Sequence, residues 1–262
     1  ANSRNGTQVN GHDVHQAELQ PGDRLTIGKT SFANNHGVLV ELDDRDISAL
    51  VQAAGGAMRQ LQAGIRDVSA TVGEFGRVDA LVNNAFALPS MKPLARTDFE
   101  QINASIELTV LGTLRVVKAF TAALADAASE SPSPRATSAI VNINSMVIRH
   151  SEPRYGSYKI AKPALLAMSQ SLASELGDKG IRINSVAPGY IWDDQLKWYF
   201  GEVAKKYGIS EDDVYAQTAA RSDLKRLPEP DEIADAVVFL ASDAASAITG
   251  HTLDVNCGEY HD

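Results

Sequence analysis

Tyr158 and Lys162 stand four residues apart, and Ser145 lies thirteen residues before the tyrosine. On a helix, a four-residue step places two side chains on one face, a turn apart. A phenol of ordinary pKa, near ~10, exchanges protons poorly at neutral pH, but an adjacent ammonium favours the phenolate and draws the group toward the working range. A serine hydroxyl delivered by a neighbouring strand end then holds a carbonyl or alcohol oxygen in place. Tyr155 and Lys159 repeat the spacing three residues earlier, so spacing alone does not select the pair.

The elements around these residues do select it. Apolar patterning reads as strand 79–85, a helix near 98–126, strand 138–144, helix 156–177, strand 181–187, helix 230–241 and strand 251–256. Strands alternating with helices predict an α/β fold, a parallel sheet covered on both faces. Ser145 then follows a strand end, and Tyr158 and Lys162 ride the helix after it. Upstream, Ile47, Leu50, Val51, Met58, Leu61, Ile65, Val68 and Val72 form a helical stripe over 46–72, interrupted by Gly55-Gly56. Residues 127–135 are Pro- and Ser-rich and read as a surface loop.

From about Gly37 to Gly258 the chain resembles the short-chain dehydrogenase/reductase family. The resemblance is carried by Asn83-Asn84-Ala85, Ser145, Tyr158 with Lys162, Pro188-Gly189-Tyr190-Ile191 and Ile248 to Val255. It implies a single-domain, Rossmann-like, doubly wound parallel sheet and hydride transfer between NAD or NADP and an alcohol or ketone. By resemblance, Ser145 positions the substrate oxygen, Tyr158 is the general acid/base, and Lys162 lowers its pKa and holds the nicotinamide ribose. Asn83, Asn84 and Ala85 let the adenosine part approach, Asp43 or Asp44 lies near the adenine, and Pro188, Gly189 and Ile191 lie by the nicotinamide. Three positions depart from the pattern: Phe86 replaces a glycine, Asp193 a hydroxyl residue, and Thr109 the asparagine that holds a relay water. Threonine can bond water but lacks the amide's reach and N–H donors.

The family opens with a strand, a glycine-rich turn and a helix that cradle the pyrophosphate. Residues 1–36 contain no such turn and few apolar residues. Gly37 to Asp44 reads as the family's third strand with its trailing acid. Two strand-helix units before it need roughly 50 residues. The chain therefore divides into an atypical polar segment, 1–36, read as a loosely packed arm, and a Rossmann-like domain, 37–262. Cofactor selectivity is not legible, because the residue that sets it follows a strand that is not found. The alternative to an oxidoreductase is a cofactor-deficient binding or scaffold subunit with the family's fold.

Composition bounds the rest. The 262 residues are 44% hydrophobic, which suits one globular domain, and the net charge of −9 disfavours nucleic acid and anionic membrane surfaces. The lone Cys257 excludes an internal disulfide and paired-cysteine metal sites, and suits a reducing cytoplasm. No stretch reads as a bilayer span or a signal peptide. Residues 190–225 carry Tyr190, Trp192, Trp198, Tyr199 and Phe200, which suggests an apolar pocket for a cyclic or lipid-like alcohol or ketone. The same rings could instead pack against the domain. By resemblance the protein is a homodimer or homotetramer built on helices 98–126 and 156–177.

Overall fold

The computed structural model describes residues 68–86, 91–130, 137–151 and 153–261, together with the backbone of five short strands earlier in the chain. Those strands are β1 (Thr7–Val9), β2 (His12–Asp13), β3 (Arg24–Ile27), β4 (Thr30–Ala33) and β5 (Leu39–Leu42). Helix α1, described over 68–75, precedes β6 (Ala80–Asn83), and α2 (Phe99–Ser129) precedes β7 (Ser138–Ile143). Then come α3 (Gly156–Leu176), β8 (Ile181–Pro188), α4 (Asp194–Tyr207), α5 (Glu211–Ala219), α6 (Pro230–Ala241) and β9 (Thr252–Val255).

Strands β5 to β9 form one parallel sheet in chain order, β5-β6-β7-β8-β9. The predicted α/β class is therefore the observed one. Strand β8 is buried along its whole length, as expected of a parallel strand covered on both faces. On one face, Leu81, Ile140, Ile181 and Ile183 meet Val117, Phe120 and Leu124 of α2 and Leu172 and Leu176 of α3. On the other, Val82, Val141 and Val186 meet Ile233, Val237 and Leu240 of α6. The odd and even residues of each strand thus serve opposite layers. Gly180 supplies the left-handed turn, φ +72°, that returns the chain from α3 into β8.

Three expectations change. Helix α2 continues through Ser129, so the predicted loop at 127–135 begins later, its remainder lying outside the described residues. Helix α2 is also long and apolar enough to cross a bilayer by length and composition, against the reading that no stretch is. Its apolarity has another cause: Val116, Val117, Phe120 and Leu124 are core residues under the sheet. Finally, the segment read as a loose arm pairs into an antiparallel sheet, β2-β1-β3-β4. Its short strands are joined by connections too brief for helical crossovers, and brief connections make antiparallel neighbours.

Strand β5 forms, as expected, but not as the third strand. In the doubly wound order 3-2-1-4-5-6, the neighbour of the fourth strand is the first. Strand β5 lies directly beside β6, with Leu39 opposite Ala80 and Leu42 opposite Asn83, and so takes the first strand's place. The helix predicted over 46–72 is described only from Val68 onward.

Candidate active site

The C-terminal ends of β6, β7 and β8 form one rim, where open α/β sheets bind ligands. Asn83 to Ala85 leave β6 there, Asn144 and Ser145 leave β7, and Pro188 to Ile191 leave β8. Ser145 is extended, with φ −167°, and caps the single turn Met146–Ile148, its Oγ accepting from the Val147 N–H at 3.3 Å. This cap is compatible with the expected positioning role, since it holds the hydroxyl at the rim.

Tyr158 and Lys162 both lie on α3, and the Lys162 Nζ stands 5.4 Å from the Tyr158 ring centroid. The Lys162 side chain is 1% exposed, and its ammonium donates to the Ile143 carbonyl at 2.7 Å. A buried ammonium needs such partners. This bond ties α3 to the last residue of β7, two positions before Ser145. Lys159, of the competing pair, donates instead to the Val147 and Ile148 carbonyls at 2.5 and 3.3 Å, in the turn that Ser145 caps. The Lys162 ammonium thus faces the Tyr158 ring and the end of β7, while Lys159 holds the turn after Ser145.

The remaining candidates divide. Asn83 is buried, and its amide donates to Asn142 Oδ1 at 2.8 Å; Asn142 donates in turn to Ser169 Oγ at 2.8 Å on α3. Its side chain thus fastens the sheet to the tyrosine's helix, leaving Asn84 and Ala85 at the rim. Thr109 is buried on a π-helical stretch of α2, Glu107–Gly112. Such a stretch marks functional sites in many helices. Gly189 donates to the Val255 carbonyl at 3.1 Å, joining β8 to the end of β9. Ile191 packs, half-buried, against the core between the sheet and α6. Asp193 is the N-cap of α4, accepting from the Leu196 N–H at 2.8 Å, a role that a hydroxyl residue would also fill. Asp43 lies outside the described residues.

The aromatic segment is mostly internal. Trp192 lies 5.6 Å from Phe200 and 4.6 Å from Tyr215, joining α4 to α5, whereas Trp198 is 68% exposed. Burial, then the Tyr155 hydroxyl, pushes the Tyr199 phenol above its usual range. Sequence reasoning missed three contacts. Phe86 meets Tyr158 edge to face at 6.4 Å, and the stretch after Ser145 is held by Arg149 to Asp254 at 3.2 Å and by His150 stacked on Tyr260 at 3.9 Å. No pattern of local spacing reveals the last two, because their partners lie in distant parts of the chain.

A family model described as Enoyl-(Acyl carrier protein) reductase matches residues 58–260. The chain belongs to the short-chain dehydrogenase/reductase family. It is 33% identical over 192 residues to a short chain dehydrogenase/reductase, astE, of Aspergillus oryzae, covering 73% of this chain and 68% of that one. It is 36% identical over 187 residues to the 3-oxoacyl-[acyl-carrier-protein] reductase FabG of Salmonella typhimurium, covering 71% and 68%. Among solved structures, an NADH-dependent reductase complexed with NAD superposes with a TM-score of 0.61 at 27% identity, covering 77% of this chain and 72% of that one. Residues 1–28 are instead similar to an FHA domain model, which fits an antiparallel sheet better than a dinucleotide-binding opening.

The rim suits the nicotinamide end of a dinucleotide. Ser145 and the Pro188 to Ile191 turn leave adjacent strand ends there, and Lys162 is tied from α3 to the end of β7. The diphosphate end is less well provided. After β5 the sequence reads Asp43-Asp44-Arg45-Asp46, where a glycine-rich turn would present backbone N–H groups to phosphate.

Proposed function

We propose that this member of an oxidoreductase family interconverts a secondary alcohol and a ketone, with Tyr158 as the general acid/base. The observation that carries the reading is the Lys162 ammonium 5.4 Å from the Tyr158 ring while it also donates to the strand end beside Ser145. NAD or NADP supplies or accepts the hydride when bound, with Lys162 and Tyr158 at the ribose and Ile191 beside the nicotinamide. Ser145 donates to the substrate oxygen and fixes it near the phenol. Tyr158 gives its proton to that oxygen in reduction and takes it back in oxidation, and the Lys162 charge stabilises the phenolate left behind. Thr109 stands in the family's relay position and bonds a water with one hydroxyl. Relatives that reduce 3-oxoacyl groups, together with the half-buried Tyr190, support an apolar carbonyl substrate. Exposed Phe99, Leu111 and Ile160 on α2 and α3 support self-association through those helices, as a homodimer or homotetramer. Residues 1–36 belong, on this reading, to a separate unit, the boundary falling between Ala33 and Leu39.

A second reading is a cofactor-deficient scaffold. Phe86 against Tyr158 and the acidic run after β5 favour it. Calorimetric titration of the whole chain with NADH and with NADPH separates the two. Micromolar binding of either, followed by reduction of a 3-oxoacyl thioester or a cyclic ketone that Tyr158→Phe slows about 10²- to 10⁴-fold, supports the enzyme. No heat up to millimolar concentration of either cofactor removes it in favour of the scaffold.

A further inference from the structure

Val147 is gripped at both of its peptide groups. Its N–H donates to Ser145 Oγ at 3.3 Å, and its carbonyl accepts from Lys159 Nζ at 2.5 Å, with the Ile148 carbonyl sharing the same ammonium at 3.3 Å. Lys159 follows Tyr158 directly on α3, and half-buried, its side chain spans from that helix to the turn after β7. Three residues on, Lys162 donates to the Ile143 carbonyl at 2.7 Å. One helix therefore holds the chain on both sides of Ser145 with two ammonium groups, and between those grips the serine is fixed further by its own N–H, which donates to Asn144 Oδ1 at 3.0 Å.

We propose that Lys159 is a positioning residue for Ser145, setting its hydroxyl at a fixed distance from Tyr158. Charge-assisted hydrogen bonds are shorter and stronger than neutral ones, so one ammonium suffices to order a single turn. Helix α3 carries both the phenol and this clamp, and any shift of the helix carries the serine's turn with it. The spacing between the two hydroxyl groups is thereby insulated from motion of the helix against the sheet. Lys159 touches neither substrate nor phenol; it acts through the Val147 peptide. The role in turnover rests on the function proposed above, whereas the clamp does not.

Hydrogen exchange in the whole chain reads the clamp without any substrate. In Lys159→Met the Val147 and Ile148 amides exchange about tenfold faster, and Lys159→Arg, which keeps the charge and the donors, restores most of the protection. Unchanged protection in Lys159→Met overturns the proposal. Turnover supplies the second readout. Lys159→Met lowers kcat about tenfold in the native background and leaves Ser145→Ala unchanged, because the residue acts through that serine. Multiplicative losses in the double variant overturn the proposal. Full activity of Tyr158→Phe instead removes the oxidoreductase reading and leaves the exchange result standing.

Discussion

Asn142 serves two neighbours at once, accepting from Asn83 and donating to Ser169. It is fully buried, so neither partner finds water when it is removed. Asn142→Ala leaves the Asn83 amide without its acceptor, and the loss is about 1–3 kcal/mol in denaturant unfolding. The effect on cofactor affinity is smaller, since Asn84 and Ala85 still form the rim. At this scale the sequence was informative about identity and mute about engagement. Ser145, Tyr158 and Lys162 were legible because their residue types have few reasons to occur together at those spacings. The work of Lys159, Asn142 and Arg149 was not, because each partner lies in another element, and only the sheet register brings those elements together. Asp193 illustrates the converse: a residue singled out as a departure from the family pattern serves here as a helix cap.

Helix α6 shows how an element is secured at its ends. Its N-terminus carries a reciprocal cap between Glu229 and Glu232, and Glu232 also receives Arg226 through two bonds of 2.6 Å. The Arg226 guanidinium and the Glu229 N–H hold the Glu232 carboxyl at about 2, below its usual 4.5. A depressed carboxylate stabilises the fold above its unfolded pKa and ceases to do so as the pH falls through the folded value. Glu232→Gln therefore lowers the melting midpoint at neutral pH, and the gap from the native protein closes as the pH is taken from about 4.5 toward about 2. At the other end Arg182, reaching from β8, donates to the Leu240 carbonyl at 2.8 Å, the Ser242 carbonyl at 3.1 Å and Thr137 Oγ1 at 2.6 Å. Burial pulls its pKa below the usual guanidinium value, yet the charge is retained by these carbonyl partners. Arg182→Met leaves the final carbonyls of α6 unpaired, and costs about 3 kcal/mol in chemical denaturation. The start and stop of α6 were legible residue by residue, from Pro230 at its head and the apolar stripe behind it. Arg182 was not, since a charged residue in a strand interior reads as a surface position until a helix end is found over it.

The whole molecule joins two sheets of different kinds, and this explains which parts of the fold a reader of the sequence could find. From β6 to β8 each strand is buried, so composition and period agree. These strands, with α2, α3 and α6, emerge within a few residues of their observed ends, whereas α4 and α5, in the segment read only for its aromatic residues, do not. Before that point the strands are two to four residues long. Segments so short carry little periodicity, and their polar, glycine-containing connections resemble an unstructured arm. Strand β5 was legible as a strand, but its place in the sheet depended on which strands precede it.

In a doubly wound sheet the strand in that place has hydrogen-bonding neighbours on both flanks. Among the described residues β5 pairs with β6, in parallel, so on this flank the register from Leu39 to Leu42 is set by β6.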